Sequence, residues 1–313
     1  MQIIDRYSSH RMRWKLEMAN LALISKEYKL RDEYRSNVET FLKAKIVNED
    51  FASNSTLIVD YVNQFVAFNT DRLIDKALDG PVDPTTKLLI INTVAFNGEW
   101  ARRFAKSMII SRNFFDSTNT SSKIQFMTQT TRTNYGEIPE KDMSILELEY
   151  LGDASMYIFL PNRVDGMDAL IRNLTIDEIN SYIQNRLTTD DVDVEIPKFE
   201  FKAQYDLVGQ LRLLGLSTLF TSGANFSGIT EPNGIRLTGA IHKAMIKVSE
   251  KGTKAAAFTG FEFHPLSIMF GQKQFIADHP FLFFIRDKSN GINIFSGAVH
   301  RLTSLTTNEG SKI

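Results

Sequence analysis

The sequence predicts an α+β protein, and three observations carry that prediction. Segments with helical spacing of apolar residues gather early in the chain, and strand-like segments fill most of the rest. Residues 87–96 (KLLIINTVAF) are too continuously apolar for a strand with one wet face, which predicts a central strand buried on both faces. Residues 248–280 contain a long loop without helix or turn signals, and such loops are usually functional.

Taken in order, residues 1–15 read as the end of a polar helix and 16–25 as an apolar strand. Helical spacing returns at 32–42 and again at 55–78, where Ile58, Tyr61, Val62, Phe65 and Phe68 share one face. Pro81-Val82-Asp83-Pro84 breaks the chain before the central strand. Strand follows strand over 114–160, and 167–187 holds two short helical pieces. One more helix is expected at 206–214, and two strands close the chain at 281–286 and 292–299. No repeat, low-complexity linker or clean boundary divides the chain, so 1–313 reads as a single domain.

Composition narrows the function. The 313 residues are 43% hydrophobic and 23% charged, with a net charge of −1. That is an ordinary globular composition with no general attraction to nucleic acid or membranes. No apolar run approaches membrane-spanning length, and the N-terminus lacks the apolar core of a signal peptide. With no cysteine, disulfides and thiolate metal or nucleophile sites are excluded. The chain has no Gly-x-Ser-x-Gly, no His-Glu-x-x-His and no Gly-rich phosphate loop, and its five histidines lack ligand spacing, so neither catalysis, metal nor cofactor is expected. Four glycosylation sequons, at Asn54, Asn119, Asn173 and Asn225, stand against about three expected by chance in so Asn/Ser/Thr-rich a chain.

Six blocks occur in one order and spacing. They are LIINTVAFNGEW at 89–100, IPKFEF at 196–201 with Tyr205-Asp206-Leu207 after it, NFSGI at 225–229, IHKA at 241–244, the segment around 251–270, and DHPFLFFIRD at 278–287. Together they resemble the serpins, inhibitors of serine proteases that act as suicide substrates. The resemblance implies a large mixed central sheet, two smaller sheets, surrounding helices and an exposed reactive-centre loop at about 251–270. It also implies that the chain starts near the end of the family's fourth helix. The first helices of the fold would then be missing, as in a short isoform, an incomplete gene or a truncated form. A secreted glycoprotein is the family's commoner setting, with a cytoplasmic one the alternative.

The loop can be read residue by residue. To enter a sheet, alternate side chains must be small and uncharged. Counting back from Leu266, Thr253, Ala255, Ala257 and Thr259 form that inward set, within a hinge of Gly252, Thr253, Ala255, Ala256, Ala257 and Thr259. Leu266 lies fourteen positions after Gly252, the family's spacing from hinge glycine to the cleaved bond. The resemblance therefore makes Leu266–Ser267 the reactive bond, with Phe263 and Phe261 the alternative baits, and a chymotrypsin- or cathepsin G-like serine protease the target. It further implies that Asn92 and His242 form a polar latch where the sheet opens. Trp100, Lys198 and Glu250 would cluster at the top of the sheet, with a Lys198–Glu250 ion pair. His10, Arg11, Arg13 and Lys15, with Arg102, Arg103 and Lys106, form a basic set that suits either a heparin-like polyanion or a solvated helix face. The alternative function is a non-inhibitory binding or chaperone protein on the same fold, or a truncated form without inhibitory activity.

Overall fold

The computed structural model describes Tyr7 and residues 13–231, 234–253 and 273–303. These residues carry five α-helices and sixteen strands in three sheets. The chain divides into two compact units, each assembled from two separated segments: 1–96 with 201–246, and 97–200 with 247–313.

The first unit begins with strands β1 (Trp14–Ser25) and β2 (Lys29–Leu30), helix α1 (Asp32–Phe41), strand β3 (Lys45–Glu49) and helix α2 (Ser55–Asn69). Trp14 and Lys15 already belong to β1, so the expected helix end does not extend to 15. β1 and β3 pair in parallel, Leu21 opposite Lys45. The central strand β4 (Leu88–Glu99) pairs in parallel with β12 (Gly239–Ser249), from Leu89 opposite Gly239 to Ala95 opposite Met245. Leu89, Ile91 and Ala95 of β4 pack with Ala19, Leu21 and Leu23 of β1 and with Ile58, Val62 and Val66 of α2. Alternate strand residues point to opposite faces, and here the faces differ. Asn92 and Val94 are only half-buried, and Ile90 is exposed. The expected burial on both faces therefore holds at the ends of the run, where Leu88 and Phe96 are buried, and fails on one face over residues 90–94.

α2 also stops short of its expected end. Phe68 is 86% exposed, and the buried stripe runs through Ile58, Val62 and Val66. Asp71 and Arg72 take left-handed φ values of 48° and 55°, which ends the helix. Thr70 donates to the Val66 carbonyl, and Asn63 Oδ1 accepts from the amides of Ala77 and Leu78. Residues 70–78 are thus held by side chains, while Leu73, Ile74, Ala77 and Leu78 are buried at a spacing that imitates a helix.

The second unit is built on an eight-stranded sheet. Its strands are β5 (Ile109–Phe115), β6 (Ser121–Ile138), β7 (Met143–Glu149), β8 (Ala154–Pro161), β9 (Thr188–Pro197), β14 (Lys273–Ile276), β15 (Phe281–Asp287) and β16 (Ile292–Val299). Their order is β14-β9-β6-β7-β8-β15-β16, with β5 on β6. Helices α3 (Met167–Asn173) and α4 (Ile176–Asn185) follow β8 as expected. α4 opens with a capping box, Thr175 accepting from the Glu178 amide and Glu178 accepting from the Thr175 amide. Leu170 of α3 and Ile179 of α4 pack on Ile145, Tyr157 and Phe159 of the sheet.

The remaining elements are β10 (Phe199–Asp206), α5 (Leu207–Leu213), β11 (Thr230–Glu231) and β13 (Gly252–Thr253). β11 and β2 make the two-stranded sheet, and the six-stranded sheet runs β10-β12-β13-β4-β1-β3.

Candidate functional site

The hinge begins inside the sheet. After Ser249 the chain turns, and Gly252–Thr253 run back antiparallel to Val248–Ser249 on one side and to Gly98–Glu99 on the other. Gly252 has φ +137°, and a Cβ there would lie 2.2 Å from the Gly98 carbonyl oxygen. Only glycine accepts both that backbone and that approach. Thr253 is 0% exposed. Its hydroxyl lies 2.8 Å from the Tyr150 hydroxyl.

Three aromatic and charged groups seat this turn. The Trp100 indole stacks on Tyr150 at 4.4 Å and 13°, and its Nε1 donates to the Ser249 carbonyl at 2.9 Å. The Trp100 amide donates to the Lys251 carbonyl and the Phe104 amide to that of Glu250. Lys198 Nζ lies 2.9 Å from Glu250 Oε2, with both side chains largely buried. Burial alone would raise the Glu250 carboxyl, but the Lys198 ammonium, together with a backbone hydrogen bond and the charge of Lys106, outweighs it and holds the group below its ordinary 4.5. Burial pushes the Tyr150 phenol far above its ordinary 10, so it stays a neutral hydroxyl. Trp100, Lys198 and Glu250 are thus brought together as expected.

In the first unit, Asn92 and His242 meet across the β4–β12 pair, with Asn92 Oδ1 accepting from His242 Nδ1 at 2.6 Å. Asn92 Nδ2 donates to Asn20 Oδ1 on β1 at 2.5 Å, and Tyr205 stacks on the His242 ring at 6.1 Å. These four side chains form a half-buried row across four strands. Partial burial disfavours the imidazolium, so His242 titrates below its ordinary 6.5.

Much of the rest of the expected site falls outside the described residues. Ala255, Ala256, Ala257, Thr259, Leu266 and Ser267 lie outside the described residues, as do His10 and Arg11. Arg13 and Lys15 belong to the first unit and Arg102, Arg103 and Lys106 to the second. Arg102 donates to Thr131 Oγ1 and the Arg132 carbonyl, and Arg103 is paired with Glu99. Sequence reading missed Tyr150, Asn20 and Tyr205. Asn20 and Tyr205 are ordinary strand residues and Tyr150 directly follows a strand; each is far along the chain from its partner, and only the packing of strands brings them together.

Comparison with known proteins bears on this arrangement. The family model described as Serpin (serine protease inhibitor) matches residues 2–302. Iripin-2 of Ixodes ricinus is 34% identical over 308 residues, 96% of this chain and 77% of the relative. Among solved structures, thyroxine-binding globulin in complex with thyroxine matches at TM-score 0.87 and 24% identity, covering 96% of this chain and 80% of that one. Native protease nexin-1 with heparin matches at 0.84 and 27%, covering 96% and 81%.

Proposed function

The chain belongs to the serpin family, and we propose that it inhibits a chymotrypsin-like serine protease as a suicide substrate. A protease-inhibitor role is general to the family. The observation that carries the reading here is the docked hinge, Gly252–Thr253 paired on both sides with the rest of the loop still to follow. The inward positions that follow, Ala255, Ala257 and Thr259, are small and uncharged, so none would bury a charge.

The protease serine Oγ attacks the Leu266 carbonyl carbon. The Leu266–Ser267 C–N bond breaks, the Ser267 amine leaves with a proton, and Leu266 stays esterified to the enzyme. The freed loop then extends β13 between β12 and β4, which requires the Asn92–His242 bond to part. About a dozen new strand residues, at roughly 1 kcal/mol net per hydrogen bond, supply on the order of 10 kcal/mol to distort the trapped enzyme.

Mixing the protein with chymotrypsin should give an SDS-resistant complex, and the released C-terminal fragment should begin at Ser267 by mass spectrometry. A cut confined to Lys254 or Lys273, or no cut in 251–272, would remove the bait assignment. Leu266→Arg should move the preference to trypsin-like enzymes, because a basic side chain suits an acidic pocket and leucine an apolar one. A clean cut at Leu266 without complex would favour the non-inhibitory alternative.

A further inference from the structure

Tyr150 is the group at the top of the sheet that no sequence motif singles out. It follows β7, bridges to Trp100 and is buried with its ring flat against the indole. Its hydroxyl meets that of Thr253, itself fully buried. Two hydroxyls in a dry site form a bond for which water does not compete. Phenylalanine at 150 would keep the stack and leave the Thr253 hydroxyl without this partner.

We propose that Tyr150 is a positioning residue that keeps Thr253 docked between Val248 and Gly98 before any protease arrives, so that insertion starts from a rung already in place. This rests on the loop-insertion reading. Ordering the first residues of a new strand costs backbone entropy before the ladder returns much bonding. A hinge docked in advance has met that cost before acylation. In the acyl-enzyme, insertion races hydrolysis of the ester. The latch biases the race toward trapping without touching the reacting bond.

The test measures amide exchange of the peptide covering 248–253 in the resting protein, with no protease present. Tyr150→Phe and Thr253→Val should each speed exchange about fivefold, the factor for one net hydrogen bond, and the double variant no further. Thr253→Ser, which keeps the hydroxyl, should exchange like the wild type. With chymotrypsin, Tyr150→Phe should consume more inhibitor per trapped enzyme at an unchanged rate of first cleavage. Unchanged exchange in Tyr150→Phe, or additive effects in the double variant, would overturn the latch. If Tyr150→Phe does not fold, the Thr253 pair decides: fast exchange in Val and slow in Ser supports the latch, and equal rates overturn it. The two readings fail separately. Coupled exchange in a wild type that traps no protease removes insertion and keeps the latch; trapping without coupling removes the latch alone.

Discussion

The top of the sheet and the row Asn20–Asn92–His242–Tyr205 both place polar side chains on strands, but they differ in water. The contact between the Thr253 and Tyr150 hydroxyls is buried beside the Trp100–Tyr150 stack. Along the row every member is half-buried. A buried bond costs its groups their full desolvation when broken, whereas a half-wet one exchanges a partner for water. The contrast separates a place where the chain must stay from a place where two strands can part.

Four substitutions or conditions break or sharpen that contrast. The largest effect belongs to Thr253→Arg, which puts an unpaired charge into a dry site. Trapping should be abolished while cleavage continues, and a gel showing wild-type levels of complex would mean that Thr253 need not be buried. Gly252→Val comes next. Its Cβ would meet the Gly98 carbonyl and its φ is unfavourable for a branched residue. Docking should weaken by about 3 kcal/mol, seen as faster proteolysis after Lys251 and Lys254.

Lys198→Met should cost about 2 kcal/mol by removing the cation that holds the Glu250 carboxylate. Thermal melting should fall by about 4 °C, and a neutral result would place the turn's stability in the aromatic stack alone. The smallest effect is the pH response of His242. Its affinity for protons is lower folded than unfolded, so below pH 6.5 the unfolded chain binds more protons and stability declines as the pH falls. His242→Gln should flatten the melting temperature between pH 7.5 and 5.5. The dry top of the sheet should show no such response over that window.

Much of the fold was legible because local and tertiary demands agree. The apolar run at 87–96 announced the central strand, and the expected termini of the last two strands fall within a residue of Phe281–Asp287 and Ile292–Val299. The misreading of 70–78 has a definite cause. Leu73, Ile74, Ala77 and Leu78 repeat at helical spacing, yet the left-handed Asp71 and Arg72 and the Asn63 bonds fold them otherwise. Burial periodicity reports which residues face a core and not the path by which the backbone brings them there. Ion pairing of Lys198 with Glu250 was legible through family resemblance. Tyr150 was not, because a tyrosine at a strand end carries no mark of the hydroxyl it will meet 103 residues later.

The parallel pairing of β4 with β12 has a consequence for synthesis. Asn92 and His242 face each other across that pair and lie 150 residues apart in the chain. At the ribosome's roughly 5–20 residues per second, β4 waits some 8–30 s for its neighbour. Through that interval a long apolar strand offers an open edge, the kind of template on which another chain can pair. Nascent chains arrested at residue 200 should therefore be captured by a holdase chaperone, and chains completed to 313 should be released from it. Equal capture of the two would show that β4 is sheltered without β12.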